Sequence, residues 1–356
     1  MTTRCVDLDI DVTVAADLGE HASVRVTVML PEVEDLAESP VVCFALPGAT
    51  FSRKYFMLDL PGALRGGQAT WHAQRGWIFI AIDHLGTGES SVPDLSRLVF
   101  NTVAAANHAV VRSVLERLKS GTLVAGYPPI ASPLVLGMGQ SMGGCLTVIQ
   151  QARHSSYDAI AVLGFSAVHT HPPRRPGEPR VRLPFVPRDT APGGADQVSL
   201  WTPSAAVNSG ILALGGNSNA MPTSWHYHFD DEPPEVVKQD MEWSDAVPPW
   251  RSATMPGLIL WVTAPGAIAP EAASIIVPVL AAFGERDVLE DPRMEAKAYR
   301  SAVDFSMFIC PRMAHMHNFA TTRKILWTRI RSWGEHVAAL KALVRNWPSD
   351  VYSDTY

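Results

Sequence analysis

A neutral serine hydroxyl is a poor nucleophile. It becomes a good one when an imidazole can take its proton and a carboxylate orients that imidazole and stabilises its cation. One serine stands in a setting made for this. The run Leu134-Val135-Leu136-Gly137-Met138-Gly139-Gln140-Ser141-Met142-Gly143-Gly144 puts Gly-x-Ser-x-Gly directly after a short apolar stretch and before a helical one, Cys145 to Ala152. A sharp strand-to-helix turn strains the serine backbone, and glycine two residues to either side lets neighbouring segments approach closely enough to present the hydroxyl. Ser141 is therefore the candidate nucleophile. A weaker match, Gly216-Asn217-Ser218-Asn219-Ala220, is followed by Pro222, which opposes the helix such a turn requires.

Other chemistries find less support. His315-x-His317 and His226-x-His228 each place two imidazoles on one side of an extended segment, but no carboxylate accompanies either pair at a recognised ligand spacing, so no metal site is expected. No Gly-x-Gly-x-x-Gly follows the first strand and no Gly-x-x-x-x-Gly-Lys occurs, so no nucleotide cofactor is expected either.

Reactive side chains need a rigid frame, and the hydrophobic pattern describes one. Val6 to Val14 alternates apolar and polar residues, Val24 to Leu30 is rich in β-branched ones, and Gly19 lies between, which predicts an antiparallel hairpin. Val41–Leu46, Trp77–Ile82, Leu134–Met138, Ala159–Phe165, Val277–Phe283 and Phe305–Cys310 are short and almost wholly apolar, the pattern of strands covered on both faces. Helical spacing between Asn101 and Gly121, and from Phe319 to Leu340, falls among them, with Asn101 and Asn318 placed as caps. Strands alternating with helices predict an α/β fold, a mostly parallel central sheet flanked by helices. The interval from His171 to Pro256 breaks the rhythm with 14 of the 28 prolines, so it reads as an irregular insertion with a short helix over Pro233–Trp243. The expected division is a core of residues 1–170 and 261–356 with an inserted cap, 171–260.

Composition narrows the partners. The 356 residues are 47% hydrophobic and 18% charged, enough to fold around a core. The 29 basic against 35 acidic residues, net −6, argue against nucleic acid. Cys5, Cys43, Cys145 and Cys310 form no Cys-x-x-Cys, the acidic N-terminus does not read as an export signal, and the apolar run from Ile275 to Phe283 is broken by Pro278. A cytoplasmic protein with no membrane partner is expected, and a homo-oligomer is compatible with the sequence.

With these segments in place, the chain resembles a serine hydrolase of the α/β-hydrolase fold superfamily, of the esterase or lactonase kind, over nearly everything outside the insertion. Asp83-His84-Leu85-Gly86-Thr87-Gly88-Glu89-Ser90 is similar to that superfamily's Asp-x-x-Gly-x-Gly-x-Ser turn. Leu46-Pro47-Gly48-Ala49-Thr50 stands where the family has His-Gly before an oxyanion-hole residue, with Pro47 in place of the His. The resemblance implies that the backbone N–H groups of Met142 and Ala49 form the oxyanion hole, with Gly48 and Thr50 beside the substrate. It implies that Asp287, in Gly284-Glu285-Arg286-Asp287, is the acid, with Glu285 and Asp291 as fallbacks. It also implies that His315, after the small Ala314, is the base, with His317 in reserve. The order Ser141, Asp287, His315 is that of the fold. The cap's Trp201 and Trp225, with Tyr227, Phe229 and Met221, are expected to line an apolar chamber for a bulky hydrophobic ester or lactone. The same constellation also serves C–C bond hydrolysis, thioester cleavage, acyl transfer and cofactor-free perhydrolysis, and some relatives of this fold only bind ligands.

Overall fold

The structure is a computed structural model that describes residues 3–37, 39–171, 173, 175, 177, 188, 224–242 and 247–345. The opening hairpin joins β1 (Arg4–Asp11) to β2 (Ser23–Leu30), antiparallel from Arg4 opposite Leu30 to Asp11 opposite Ser23. Between them lies a short helix, α1 (Thr13–Ala16). The apolar runs become β3 (Val41–Leu46), β4 (Ile78–Ile82), β5 (Leu134–Gln140), β6 (Ala159–Leu163), β7 (Val279–Gly284) and β8 (Phe305–Cys310). They form one eight-stranded sheet in the order β1-β2-β4-β3-β5-β6-β7-β8, parallel from β4 through β8.

Both faces of that sheet are covered, as continuous apolar strands require. In β3, Val42, Phe44 and Leu46 enter one core, and Val41, Cys43 and Ala45 enter the other. The first core is closed by α3 (Phe100–Ser120) and α4 (Met142–His154), the second by α2 (Gln68–Ala73) and the long C-terminal helix α9 (Arg323–Arg345). From the insertion, α5 (Ser224–Tyr227) and α6 (Pro234–Met241) are described, followed by α7 (Ile259–Val262) and α8 (Ala269–Ser274). No described helix is long and apolar enough to cross a membrane.

Two expected caps are displaced. Helix α3 begins at Phe100 with Val99 as N-cap, so Asn101 lies inside it; its end is as expected, with Gly121 in the left-handed region at φ 71°. Helix α9 begins at Arg323, and Asn318 is instead buried, accepting from the Trp327 indole at 2.9 Å and donating its backbone N–H to the Tyr55 hydroxyl at 3.0 Å. Parallel strands carry their C-terminal ends to one edge, and every candidate reactive residue lies just beyond it.

Candidate active site

Ser141 is the first residue past β5, at φ 55° and ψ −119°, a backbone that L-residues rarely adopt. Its neighbours over-determine that geometry. The Ser141 N–H donates to the Leu163 carbonyl at 2.8 Å, and its carbonyl accepts from Cys145 at 3.1 Å at the start of α4. A Cβ on Gly143 would lie 2.0 Å from the Leu46 carbonyl oxygen, and one on Gly139 would lie 2.0 Å from that of Gly143. Both glycines of Gly-x-Ser-x-Gly are thus required by space, because α4 starts in contact with the end of β3.

The loop after β8 returns His315 to this turn. Its Nε2 is 3.0 Å from Ser141 Oγ, and its Nδ1 is 2.7 Å from Asp287 Oδ1, past the end of β7. Because the carboxylate can only accept, Nδ1 carries the proton and Nε2 presents its lone pair to the hydroxyl. The main chain of His315 is fixed by the Gln140 side chain, whose amide donates to its carbonyl at 2.9 Å.

Asp287 is fully buried and receives four donors. His315 and Val288 N–H (2.8 Å) reach Oδ1, while His317 Nε2 (2.8 Å) and Gly284 N–H (2.8 Å) reach Oδ2. Burial alone would raise its carboxyl, but the imidazoles of His315 and His317 hold it well below the usual carboxylate range. His317 therefore shares Asp287 with His315, and its other nitrogen, Nδ1, is buried without a protein partner among the described residues. Glu285 accepts from the Arg312 backbone, and Asp291 caps the 3₁₀ turn Pro292–Lys297, so each of these carboxylates has another employment.

Opposite the imidazole lies the turn after β3. Gly48 is so close to the strand-to-helix elbow at Ser141 that a Cβ would meet the Gln140 amide oxygen at 2.4 Å and Ser141 Cβ at 3.2 Å. Thr50 follows at φ 65°. Among the described residues neither the Ala49 nor the Met142 N–H donates to a protein acceptor. His84 is buried and donates from Nε2 to the Pro47 carbonyl at 3.0 Å; burial pushes its imidazole down to about 4, so it is neutral. Tyr55 is likewise buried, which raises its phenol.

The insertion's aromatic residues divide. Tyr227, half-buried, has its ring centre 6.0 Å from that of His315, and its carbonyl accepts from the Met316 N–H at 2.8 Å. Trp225 and Phe229 stack on cations: Arg286 lies 4.2 Å from the Trp225 ring and 4.7 Å from that of Phe229, with Arg175 at 4.9 Å from Trp225. The cause is Arg286, one residue before Asp287, which also donates to the His228 carbonyl at 2.8 Å and so draws these rings onto the acid loop. Trp250 and Trp261 are core residues. Trp201, Trp243 and Met221 lie outside the described residues.

No protein-family model matches the sequence, and no curated protein matches it. Solved structures do. A thermophilic esterase from Thermogutta terrifontis superposes with a TM-score of 0.59 at 13% identity, over 94% of this chain and 99% of that one. A loop variant of a haloalkane dehalogenase from Bradyrhizobium elkanii gives 0.58 at 14% identity, over 96% and 100%. A proline iminopeptidase from Mycobacterium smegmatis gives 0.57 at 14% identity, over 94% and 100%. The chain has the α/β-hydrolase fold. In α/β-hydrolase terms the hydroxyl follows β5, the carboxylate β7 and the imidazole β8. Two residues here had no strong sequence signal: Gln140 is an unconstrained position of Gly-x-Ser-x-Gly, and Arg251, whose guanidinium reaches Thr50, comes from the far end of the insertion.

Proposed function

We propose that the protein is a serine hydrolase that cleaves a carboxylic ester or lactone through an acyl-enzyme on Ser141. One observation carries this function above all: the unbroken line from Ser141 Oγ through His315 to Asp287, at 3.0 and 2.7 Å. Ser141 Oγ attacks the carbonyl carbon while its proton passes to His315 Nε2, and the carbonyl electrons move onto oxygen. That oxyanion is held by the N–H groups of Met142 and Ala49. As the oxyanion re-forms the carbonyl, the C–O bond breaks and the leaving alkoxide takes the proton from His315. Water then attacks the acyl carbon and gives a proton to His315, and that proton returns to Ser141 as the carboxylic acid departs. Asp287, held ionised throughout, steadies the imidazolium in each half.

Residues 171–260 are read as a cap over this edge of the sheet. Tyr227, beside His315 and reaching its loop through Met316, supports that placement. The Tyr227 ring beside His315 favours a hydrophobic acyl or alkoxy group.

A fluorophosphonate probe together with aryl esters and macrolactones tests the function. The wild-type protein is expected to be labelled on Ser141 and to turn over at least one of these substrates, and Ser141→Ala to do neither. Wild-type protein that folds but is not labelled would instead make this a binding protein built on a hydrolase fold.

A further inference from the structure

The segment that returns from the insertion to the core grips the turn after β3. Ser52 donates its N–H to the Trp250 carbonyl and its hydroxyl to the Pro249 carbonyl, both at 2.9 Å, and Ser252 N–H donates to the Thr50 carbonyl at 2.8 Å. Between these lies Arg251. Its Nη1 donates to Thr50 Oγ1 at 2.6 Å, its Nε and Nη2 to the two oxygens of Asp240 at 3.0 and 2.6 Å, and its guanidinium covers the Phe51 ring at 3.9 Å. Asp240 also accepts from the Trp250 indole at 2.7 Å and from His228 Nε2 at 3.1 Å, and His228 Nδ1 lies 2.6 Å from Glu232. An imidazole facing two carboxylates donates from both nitrogens and is a cation, so two anions and two cations form one buried group. Such a group is rigid, because losing any member leaves a buried charge unpaired.

The end of this group that meets the active site is strained. Thr50 is β-branched yet sits at φ 65°, where such residues are genuine outliers unless their surroundings hold them. The bond from Arg251 is the side-chain restraint on it. Ala49 is therefore suspended between two anchors, Gly48 packed on the elbow and Thr50 tied to Arg251.

We propose that Arg251 is a positioning residue for acyl transfer: through Thr50 Oγ1 it holds the turn that presents the Ala49 N–H to the oxyanion, so the insertion's ion cluster sets the rate. This rests on the serine hydrolase function proposed above. A donor aimed at the oxyanion acts on the transition state, so the effect belongs to kcat and not to KM.

The test uses the full-length protein with an aryl ester and the fluorophosphonate probe. Thr50→Val keeps the side-chain shape, removes the acceptor and leaves the Arg251–Asp240–His228 group in place. It is expected to lower kcat and the labelling rate about 30-fold with KM changed less than about twofold, since loss of a whole oxyanion donor costs about 100-fold or more. Thr50→Ser, which restores the acceptor, should recover most of the lost rate. Arg251→Met should lower kcat similarly and cost less than about threefold more in the Thr50→Val background, because both act through one bond. If Arg251→Met does not fold, the contrast between Thr50→Val and Thr50→Ser decides alone. A labelled wild type with Thr50→Val labelled equally fast would overturn this proposal only, as would equal losses in Thr50→Val and Thr50→Ser or a multiplicative double variant. A wild type that is not labelled would overturn the hydrolase function and this proposal with it.

Discussion

Two histidines converge on one carboxylate, and their free nitrogens separate their roles. His315 turns its second nitrogen to the Ser141 hydroxyl, whereas that of His317 is buried with no protein partner among the described residues. Only the first is placed to take the Ser141 proton in the proposed acyl transfer. His317 can only steady Asp287, which keeps three other donors when it is removed. Single-turnover acylation should therefore fall by about 10⁴-fold in His315→Ala and by a similar order in Asp287→Asn, where the imidazole loses its orienting acceptor. His317→Gln, which retains an N–H donor, should cost on the order of tenfold. Equal losses in the two histidine variants would mean that the roles had been assigned to the wrong ring. The sequence favours His315 through a preceding small residue and its separation from Asp287; the sharing of Asp287 depends on a loop that brings positions 315 and 317 to opposite oxygens of one carboxylate. No local pattern encodes that.

The elbow is an arrangement of two elements in contact, and its glycines report on the contact directly. A Cβ on Gly143 would meet Leu46 and Pro47 carbonyl oxygens at 2.0 and 2.6 Å, and backbone inside β3 cannot swing aside. On Gly144, one position further into α4, the nearest atoms are the Gly139 carbonyl oxygen and Phe165 Cβ, both at 3.1 Å, a contact that a shift of a few tenths of an ångström relieves. Gly143→Ala should therefore destabilise by about 3 kcal/mol or more, and Gly144→Ala by about 1 kcal/mol or less, as read from urea unfolding midpoints. Indistinguishable midpoints would remove close approach as the reason for the motif. Gly143→Ala should also lower activity, since the junction it spreads carries both Ala49 and Met142. The motif was legible because its requirement is local, a strand, a strained residue and a helix within eleven positions. The strands of the sheet were legible for a related reason: burial on both faces leaves runs such as Val41–Leu46 no polar residue. Capping was not. Asn318 has the right chemistry and position for a cap, but Tyr55 and Trp327, far away along the chain or across a turn, take its hydrogen bonds first.

Across the whole molecule, the insertion is tied to the core through charge, and this was hidden from the sequence. Fourteen prolines mark residues 171–256 as irregular, yet nothing in them indicates that Arg251 pairs with a threonine 201 positions earlier. The ion cluster behind that pairing makes stability depend on pH. Burial alone would lower the His228 imidazole, but Asp240 and Glu232 outweigh it and push the group up to about 9. The unfolded chain releases this proton near about 6.5, so its contribution is complete below that pH, declines by about 1.4 kcal/mol per pH unit above it, and is gone once pH passes about 9. Buried His72 and His84, pushed down to about 3 and about 4, are neutral in the folded protein, so as the unfolded chain loses their protons they add stability with rising pH, an opposing slope that is spent by about pH 7.5. Cys43, raised by burial, contributes in the same direction only above the ordinary thiol range of about 8.5. The informative window is therefore about pH 7.5 to 8.5, over which urea unfolding of the wild type should lose about 1 kcal/mol to this one group. His228→Gln, less stable from the outset because Glu232 and Asp240 lose their cation, should show a nearly flat profile across the same window. Parallel slopes in the two proteins would mean that His228 is not charged in the folded state, and that the insertion is held by something other than this cluster.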